Sequence, residues 1–535
     1  MGSVISSLCH KQEGRAEVDH YKLSHRGLLG REPDFDDKSM LMDSPKPSKR
    51  RMLAKCVSPM LGFDHHSISQ NFINNAYNFV KELSHSRLGS VYKATKRTQS
   101  GDYQQDKYYA IRILHRKLNV SGTKQFEREI ELMRVLDHYN LMRFYECFQN
   151  ETTIYAIYEY LEGETLDGYV LNSRSPMHEQ KLKSTMFQIV QVIHFLHLRG
   201  IAHRDIDPDN FMFVAPGSDE IKLIDLGNAK LVDESTNLKQ MTCDVKFAAP
   251  EVIKKQYGKK ADIWAIGVCM YYFMTTGYPF DDDFAEEIPS LITSGTFDHD
   301  SINSSDYSKE AKDFLFHLLT HDPNMRPSSL DCLLHPWFTS CRRDIIELGE
   351  ASLQKEMFLN LRTFGYRSEM QREVRSLLIQ SMGTYDPEVA NRINVFRFMD
   401  KDFSGAISAT EIEEIYKKFD IKLREREIEE IIDSLYFKEK AVVTYLEFIA
   451  ATLDKEFYRN KQRIRELFNY IDVDLSGEID YQDIQDCFKR FGRLLDDSKI
   501  RRMIAECDVN KDERINFEEF YNIIVAERKR SIPAK

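Results

Sequence analysis

Oxygen-bearing side chains in the middle of the chain have the types and spacing to hold a divalent cation. Asp205 and Asn210 lie in the segment 203–210, and Asp225 follows Asn210 by fifteen residues. Their carboxylate and amide oxygens are the hard ligands that magnesium prefers. Asp207 lies in the same segment. The three oxygen-bearing side chains are therefore of the types that ligate magnesium, and Asp207 adds a negative charge among them.

The segments around these residues predict the elements that position them. Strand-like stretches span 78–83, 90–94 and 108–114, and a helical segment spans 124–136. Together with the segments that hold Asp205 and Asp225, this order resembles a protein kinase domain. Further motifs follow in family order: Ala249-Pro250-Glu251, Asp262 to Gly267, Pro279-Phe280, Arg326 and His335-Pro336-Trp337. The resemblance covers about residues 77–338 and implies the bilobal α+β fold of protein kinases.

The resemblance to protein kinases implies roles for individual residues. Asp205 corresponds to the residue that accepts the proton of the substrate hydroxyl, and Asn210 and Asp225 correspond to the magnesium ligands. Arg112 occupies the place of the lysine that pairs with the α- and β-phosphates, and Glu129 matches its helix partner. The nucleotide-binding positions carried over in this way are Leu83, Gly89, Val91, Ala110, Arg112, Glu129, Asn210 and Asp225.

The resemblance also implies structural contacts. Tyr158 stands at the gatekeeper position, where a bulky side chain closes the pocket behind the adenine. Arg112 and Glu129 are expected to form an ion pair that holds the small lobe together. Glu251 and Arg326 match the buried ion pair of the large lobe.

The chain departs from the kinase pattern where the family carries positive charge. Asp207 stands where Ser/Thr kinases have a lysine that approaches the γ-phosphate, and Asp244 where they have the threonine that contacts this lysine. Asp209 occupies the position of an arginine of tyrosine kinases. Like charges 4 Å apart repel by about 4 kcal/mol at an effective dielectric of about 20, which is about a thousandfold in rate. The sequence therefore predicts a pseudokinase or a severely impaired kinase.

The C-terminal third contains an internal repeat of acidic loops. The loops begin at positions 400, 436, 472 and 508, a constant spacing of 36 residues, and amphipathic helical sequence flanks each loop. This pattern predicts an all-α, calmodulin-like domain of four EF-hands. Candidate calcium ligands lie in loops one, three and four: Asp400, Asp402, Ser404, Ala406 and Glu411; Asp472, Asp474, Ser476, Glu478 and Asp483; and Asp508, Asn510, Asp512, Arg514 and Glu519.

The four loops differ in their match to the calcium-binding pattern. Loop one has oxygen ligands at positions 1, 3, 5 and 12 and Gly405 for its sharp turn. Loop two has Lys438 and Lys440 at ligand positions, so we expect it to serve as a structural partner of loop one. Loop three ends in the shorter Asp483, and loop four has Glu513 in place of the turn glycine. We expect two or three bound calcium ions in loops one, three and four.

The order of these regions resembles a known family. A kinase domain, a helical junction and four EF-hands occur together in the calcium-dependent protein kinases of plants and protists, and the resemblance covers about residues 77–527. It implies that calcium opens the EF lobes, which change their grip on the junction and free the kinase lobe. The junction carries apolar residues near helical spacing: Leu359, Leu361, Phe364, Met370, Val374, Leu377, Leu378 and Met382.

We divide the chain into five parts. An N-terminal extension spans 1–76, the kinase-like domain 77–338, the junction 339–390, the EF-hand domain 391–529 and a basic tail 530–535. Two functions fit these parts. The first is a calcium-sensing pseudokinase or scaffold that recruits protein partners. The alternative is an active calcium-dependent Ser/Thr kinase that acts on protein substrates, using ATP and magnesium with a rebuilt phosphate clamp.

The N-terminal extension and the composition predict location and partners. The first residues fit the pattern for N-myristoylation at Gly2, and Cys9 is a candidate for palmitoylation, so we expect attachment to the cytosolic face of a membrane. The formal charge of −11 argues against a nucleic-acid binder. No apolar run has the length of about 20 residues that predicts a membrane helix. The nine cysteines lack any Cys-x-x-Cys pair, which is typical of reduced cytoplasmic thiols.

Overall fold

The computed structural model describes residues 73–526, with gaps at 75, 87–88, 98–102, 117–119, 234–235, 283, 298, 364–367, 382–386, 425–426, 436–441, 475 and 491–494. Several predicted positions therefore lie outside the described residues: Gly2, Cys9, Phe364, Met382, Lys438, Lys440 and the tail at 530–535. None of the helices in the described part has the length and apolar character that crossing a membrane requires.

A five-stranded antiparallel sheet and one helix form the small lobe. Its elements are β1 (Tyr77–Ser86), β2 (Gly89–Arg97), β3 (Tyr103–His115), α1 (Val120–Val135), β4 (Phe144–Gln149) and β5 (Thr153–Glu159). The strand order is β1-β2-β3-β5-β4. Each strand extends beyond the stretch predicted for it, because backbone pairing continues to the hairpin turn, where Ser86 lies opposite Gly89.

The large lobe is mainly helical. Its elements are α2 (Leu166–Ser173), α3 (Glu179–Leu198), β6 (Ile201–Ala202), β7 (Phe211–Phe213), β8 (Ile221–Leu223), β9 (Lys230–Leu231), α4 (Pro250–Ile253), α5 (Lys260–Thr275), α6 (Ile288–Ser294), α7 (His299–Asn303), α8 (Lys309–Leu318) and α9 (Ser329–Leu333). The helices α3 and α5 are buried along most of their length and pack against each other. Two short antiparallel strand pairs, β6–β9 and β7–β8, then hold the loops that carry the candidate catalytic residues.

The predicted ion pair of the large lobe is present. Arg326 Nη1 lies 2.5 Å from Glu251 Oε1, and Nη2 lies 3.1 Å from Oε2. The guanidinium also lies over the Trp264 ring, 5.1 Å from its centroid. Arg326 is 1% exposed, so this bidentate pair ties the segment at α4 to the segment before α9 inside the lobe.

Helices make up most of the remaining chain. The junction contains α10 (Thr339–Ser352), α11 (Lys355–Thr363) and α12 (Glu369–Ser381). EF lobe one contains α13 (Pro387–Met399), β10 (Ala406–Ser408), α14 (Ala409–Lys418), α15 (Glu427–Leu435), β11 (Val442–Thr444) and α16 (Tyr445–Thr452). The short α17 (Lys455–Arg459) leads to EF lobe two, with α18 (Lys461–Ile471), α19 (Tyr481–Arg490), α20 (Asp497–Cys507) and α21 (Phe517–Val525).

The apolar face of the junction lies in the core of the EF-hand region. Leu361, Met370, Val374 and Leu377 are buried in one cluster with the EF-hand helices. The helix α12 contacts α16 of EF lobe one and α20 and α21 of EF lobe two. The prediction of a bilobal kinase fold followed by an all-α EF-hand domain is confirmed.

Candidate functional site

Arg112 is held by a carboxylate of the helix α1. Its Nη1 atom lies 3.0 Å from both carboxylate oxygens of Glu129, which is 1% exposed. The guanidinium also lies over the Phe126 ring, 4.8 Å from its centroid. Burial lowers the pKa of Arg112, whereas the Glu129 carboxylate raises it, and the net pKa lies above its ordinary value. The side chain therefore stays charged and ties β3 to α1.

The gatekeeper Tyr158 takes part in the same network. It lies on β5 opposite Ala110 of β3, and it is 2% exposed. Its hydroxyl donates a hydrogen bond to Glu129 Oε1 at 3.2 Å. Burial raises the pKa of Tyr158 well above its ordinary value, which keeps this donor protonated. A buried ring at this point occupies the space behind the expected adenine position.

The remaining small-lobe candidates lie on three adjacent strands. Val91 of β2 lies opposite Arg112 of β3, and Leu83 lies on β1 beside β2. Ala110 is two residues before Arg112, so the two share one face of the sheet. Gly89 lies opposite Leu114 in the hairpin, and a Cβ there would lie 1.9 Å from a backbone oxygen of β3. Only glycine fits this close approach of two strands.

A buried carboxylate positions the catalytic loop. Asp262 of α5 accepts the backbone N–H of His203 at 2.9 Å and that of Arg204 at 2.8 Å. Within the loop, the Asn210 amide donates to the Asp205 carbonyl at 2.8 Å. These bonds place the predicted proton acceptor and a predicted magnesium ligand side by side.

The second magnesium ligand is bonded to the same loop. The Nε2 atom of His203 and the Asp225 carbonyl oxygen are 2.9 Å apart. The Asp225 carboxylate accepts the backbone N–H of Gly227 at 2.6 Å. The oxygens of Asp205, Asn210 and Asp225 therefore suit a magnesium ion bound to a polyphosphate, which would neutralise charge there.

Asn228 is a site residue that the sequence reasoning missed. Its amide donates to Asp205 Oδ2 at 2.9 Å, and its carbonyl oxygen accepts from Gln125 of α1 at 3.1 Å. The chain Gln125–Asn228–Asp205 connects the small-lobe helix to the expected proton acceptor. The sequence signal for Asn228 was an amide directly after the Asp225-Leu226-Gly227 motif, at a position where several residue types are common.

The two aspartates that break the kinase pattern both cap short turns. Asp207 accepts the N–H of Asp209 at 2.9 Å, and Asp244 accepts the N–H of Lys246 at 3.0 Å. Burial raises the pKa of Tyr278, and the charges of Asp167, Asp207 and Asp244 raise it further. The carboxylates of Asp207 and Asp244 therefore hold backbone turns at the positions where the kinase pattern has a lysine and a threonine.

Lys246 is a cation two residues after Asp244 in the sequence. Its Nζ atom lies 2.8 Å from Asp281 Oδ1 and 4.5 Å from the centroid of the Tyr278 ring. In this arrangement its charge is directed to Asp281 and the ring face. It therefore does not take the place of the missing catalytic-loop lysine.

Loop one has the geometry of a calcium site. Carboxylate oxygens of Asp400, Asp402 and Glu411 lie within 4.8 Å of one another. Gly405 has the positive φ of 70° that the sharp turn requires, and the N–H of Gly405 donates to Asp400 at 2.9 Å. Burial and the charges of Asp402 and Glu411 raise the pKa of Asp400 well above its ordinary value. Crowded carboxylates of this kind fit a calcium ion, which supplies the missing positive charge.

Loop two supports loop one through backbone pairing. The strands β10 and β11 are antiparallel, with Ile407 opposite Val443. Both residues are fully buried. This agrees with the expectation that loop two serves as a structural partner, although positions 436–441 of the loop lie outside the described residues.

Loop three also brings its carboxylates together. Asp472, Asp474 and Asp483 place oxygens within 4.8 Å of one another, and Gly477 has a φ of 87°. The Ser476 hydroxyl donates to the Glu478 carbonyl at 2.8 Å. The oxygen donor set fits calcium, with the short Asp483 at the final position.

Loop four is more distorted. Glu513 has a φ of 62° at the position where loops one and three have glycine, a left-handed backbone conformation that is strained for a residue with a side chain. The Asn510 amide donates to Asp512 at 2.7 Å, and Arg514 lies 3.1 Å from Glu478 of loop three. Among the described residues, three-carboxylate groups occur in loops one and three, whereas Asp508, Asp512 and Glu519 do not form one.

Sequence comparisons extend these observations across the chain. A protein kinase domain model matches residues 77–338, an EF-hand model matches 393–416, and an EF-hand domain pair model matches 461–525. Calcium-dependent protein kinase 9 of Arabidopsis thaliana is 27% identical over 482 residues, which cover 89% of this chain and 87% of the relative. The combination of kinase and EF-hand matches in one chain, with relatives aligned over most of their length, decides the assignment. The chain belongs to the calcium-dependent protein kinase family.

Two other relatives match the chain over a similar length. Calcium-dependent protein kinase 3 of Plasmodium berghei is 28% identical over 461 residues, covering 84% of this chain and 80% of the relative. Calcium-dependent protein kinase 19 of Oryza sativa subsp. japonica is 26% identical over 535 residues, covering 97% of each chain. The alignments therefore run through the kinase domain, the junction and the EF-hand domain.

Loop one also contacts the kinase domain directly. Arg199 at the end of α3 donates to the Ser404 carbonyl at 2.9 Å, and His194 Nε2 lies 3.3 Å from the Asp402 carbonyl oxygen. Phe403 packs among the core residues of the large lobe, 5.9 Å from the Phe187 ring. Sequence reasoning missed this contact, because nothing along the chain connects α3 with a loop two hundred residues away.

Proposed function

We propose that this calcium-dependent protein kinase acts mainly as a calcium sensor, with a kinase lobe that transfers phosphate weakly or not at all. The observation that carries the proposal is the pair of carboxylates, Asp207 and Asp244, at the position of the phosphate-contacting lysine and its partner. Phosphoryl transfer depends on positive charge placed around the transferred group. Two carboxylates at this point repel that group instead.

The state of Arg112 supports the same proposal. A lysine at this position is a compact point charge that can turn from a carboxylate to a phosphate, whereas a guanidinium is a wide, planar fork. Here the fork binds both oxygens of Glu129 and lies over Phe126. Its role in the proposal is to hold α1 to β3.

The calcium-sensing part of the proposal rests on the donor sets of the loops. Loops one and three hold three carboxylates each in one cluster, and we assign calcium to both, with weaker binding at loop four. EF-hand sensors respond to about 10⁻⁷ to 10⁻⁵ M calcium. The proposal also includes the division of the chain after residues 76, 338 and 390 into the N-terminal extension, the kinase domain, the junction and the EF-hand domain.

Membrane attachment is a further part of the proposal. The pattern at Gly2 and the nearby Cys9 would give two lipid signals, and stable attachment requires two. The sensor would then act at the cytosolic face of a membrane and recruit protein partners there.

An active enzyme is the second candidate function. The observation that favours it is the intact set of Asp205, Asn210 and Asp225, held together by the bonds from His203 and Asp262. A lobe used only as a scaffold does not need these three oxygens in one place.

Transfer of labelled phosphate from ATP separates the two candidates. The native protein is incubated with a generic protein substrate, in calcium or in a chelator, beside the Asp205→Asn variant. We expect native activity no higher than that of the variant. The double variant Asp207→Lys with Asp244→Thr should raise transfer by roughly a hundredfold or more, since it replaces repulsion with attraction. Vigorous native transfer that calcium stimulates and Asp205→Asn abolishes would refute the proposal.

A further inference from the structure

A buried carboxylate on the small lobe lies outside the nucleotide site. Glu146 of β4 is 1% exposed. Tyr77 of β1 donates its hydroxyl to Glu146 Oε1, and the ammonium group of Lys96 on β2 lies 3.4 Å from the same oxygen. These partners belong to the small lobe and compensate part of the cost of burying the charge.

The other partners of Glu146 come from the third EF-hand. The hydroxyl of Tyr470 in α18 donates to Glu146 Oε2. The ammonium of Lys96 also lies over the Tyr470 ring, 3.6 Å from its centroid. From α19, Arg490 places its guanidinium 5.6 Å from the centroid of the Phe148 ring on β4. Both helices of one EF-hand therefore contact one strand of the kinase domain.

The charges at this contact are complementary. Burial alone raises the pKa of Glu146. Lys96, Arg490 and the two tyrosine hydroxyls together outweigh this effect, so the net pKa lies below its ordinary value. The carboxylate therefore stays ionised inside the interface. Removal of one partner from such a buried, charge-assisted set leaves the others poorly compensated.

The position of the contact connects it to calcium. Tyr470 lies two residues before the loop-three ligand Asp472, and Arg490 ends α19, the helix that contains the last loop-three ligand, Asp483. Calcium binding to a sensor EF-hand changes the angle between its two helices. The strand β4 contacts Tyr470 on one helix and Arg490 on the other. We therefore expect β4 to fit only one of the two interhelical angles of this EF-hand.

The arrangement of the junction identifies which angle is held. The helix α12 buries Met370, Val374 and Leu377 against both EF lobes, and Gln371 donates to the carbonyl of Ile524 at 3.1 Å. An apolar helix seated between EF-hand helices is the contact made by the open, calcium-loaded form. The contact at Glu146 therefore occurs together with the open form.

We propose that Glu146 and its small-lobe partners form a docking site for the third EF-hand, and that this docking strengthens calcium binding at loop three. The proposal rests on calcium binding at loop three, which is part of the proposed function. Coupling between two sites is reciprocal, so a docked EF-hand binds calcium more tightly, and bound calcium favours docking.

Calcium titration of the full chain tests this coupling. Loops one and four are silenced by Asp400→Ala and Asp508→Ala, so that equilibrium binding of labelled calcium reports loop three, and further addition of Asp472→Ala should abolish it. In this background, Tyr470→Phe removes one hydrogen bond without changing the kinase domain, and Glu146→Gln removes the charge. We expect each variant to weaken calcium binding by roughly tenfold, within the usual range of coupling factors. The double variant should weaken it by less than the product of the two, because both changes remove one shared bond.

Tyr521→Phe is the matched control. Its hydroxyl donates to the Arg459 carbonyl at 3.1 Å within the EF-hand region, so this change should leave calcium binding unaltered. Calcium affinity that is unchanged in both Tyr470→Phe and Glu146→Gln overturns the coupling and leaves calcium sensing intact. A parent chain that takes up no calcium at loop three overturns the proposed calcium site as well, so the two failures are distinguishable.

Discussion

At the scale of single residues, charge identity decides what the kinase frame can do. The backbone of the catalytic loop is held by two hydrogen bonds to the Asp262 carboxylate. Within that frame, Asp207 and Asp244 use their carboxylates to cap turns, and Arg112 is bonded to Glu129. Fold and chemistry therefore separate at a few positions, because backbone geometry tolerates side-chain charges that phosphate does not.

One buried ion pair at the junction makes a prediction about pH. Arg362 Nε lies 2.9 Å from Glu427 Oε1, and its Nη2 donates to Oε2 at 3.0 Å. Burial raises the pKa of Glu427. Arg362 and the N–H of Arg424 together outweigh this effect and bring the pKa down to about 2. Because the folded pKa is depressed, this stabilisation is present above the ordinary value near 4.5 and is lost as the pH falls toward 2.

Glu427→Gln should therefore lower the free energy of unfolding at pH 7 by about 1 kcal/mol, after allowance for solvent screening. The difference from the native protein should shrink between pH 4.5 and pH 3. Thermal unfolding across this pH range measures it. Glu430→Gln, at a carboxylate that is 56% exposed, should have almost no effect at any pH. An equal deficit for Glu427→Gln at pH 7 and pH 3 would contradict the prediction.

At the scale of elements, the surroundings of an EF-hand loop decide how it is held. Loop one places Phe403 in the core of the large lobe, while Gly405 passes so close that an added Cβ would lie 2.5 Å from the Phe195 ring. Arg199 and His194 then bond the backbone carbonyls of the loop. The kinase domain therefore holds the backbone at positions 3 to 6 of the loop, which reduces the cost of ordering the loop on calcium binding.

Phe403→Ala tests this effect. The change leaves every predicted calcium ligand in place, but it removes a ring that is 8% exposed from the kinase core. We expect roughly tenfold weaker calcium binding at loop one and a lower melting temperature, because the loop loses its anchor. Isothermal titration of the full chain measures the affinity. Val509→Ala in loop four is the matched control, since Val509 is 81% exposed, and an equal loss there would rule out anchoring.

At the scale of the whole molecule, the EF-hand domain joins the two lobes of the kinase domain. EF lobe one lies on the large lobe, where Arg397 is 3.5 Å from Glu220. It also contacts the segment between α1 and β4 of the small lobe, where the N–H of Leu446 donates to Asp137 at 3.0 Å. EF lobe two lies on the small lobe at Glu146. The helix α12 contacts both EF lobes, so any change in their grip on α12 is transmitted to both kinase lobes.

Val374→Asp tests the role of α12 in this assembly. Val374 is fully buried between the EF-hand helices, and an unpaired carboxylate there costs several kcal/mol. The EF lobes should lose their common helix, and we expect a larger radius of gyration by small-angle scattering together with weaker calcium binding. Ile346→Asp, at a residue of α10 that is 49% exposed, should leave the radius unchanged. A compact Val374→Asp variant with native calcium affinity would show that α12 does not organise the assembly.

The sequence by itself determined the elements and most of the candidate ligands. Kinase motifs in family order predicted the bilobal fold, since each motif marks a fixed place in one chain topology. The 36-residue repeat predicted the EF-hands and the carboxylates of loops one and three, because calcium ligands recur at set positions within a loop. The apolar spacing of the junction indicated that it packs as a helix, because burial requires a continuous apolar face.

Only the tertiary structure decided which distant residues meet. The bond from Asn228 to Asp205, the packing of Phe403 in the large lobe and the contact of Tyr470 with Glu146 join residues that are 23, more than 200 and 324 positions apart. Sequence patterns record local period and spacing, whereas these contacts depend on how complete domains pack against each other. The sequence therefore predicts the kinase and EF-hand domains, whereas the way in which each domain constrains the other depends on how the two domains pack.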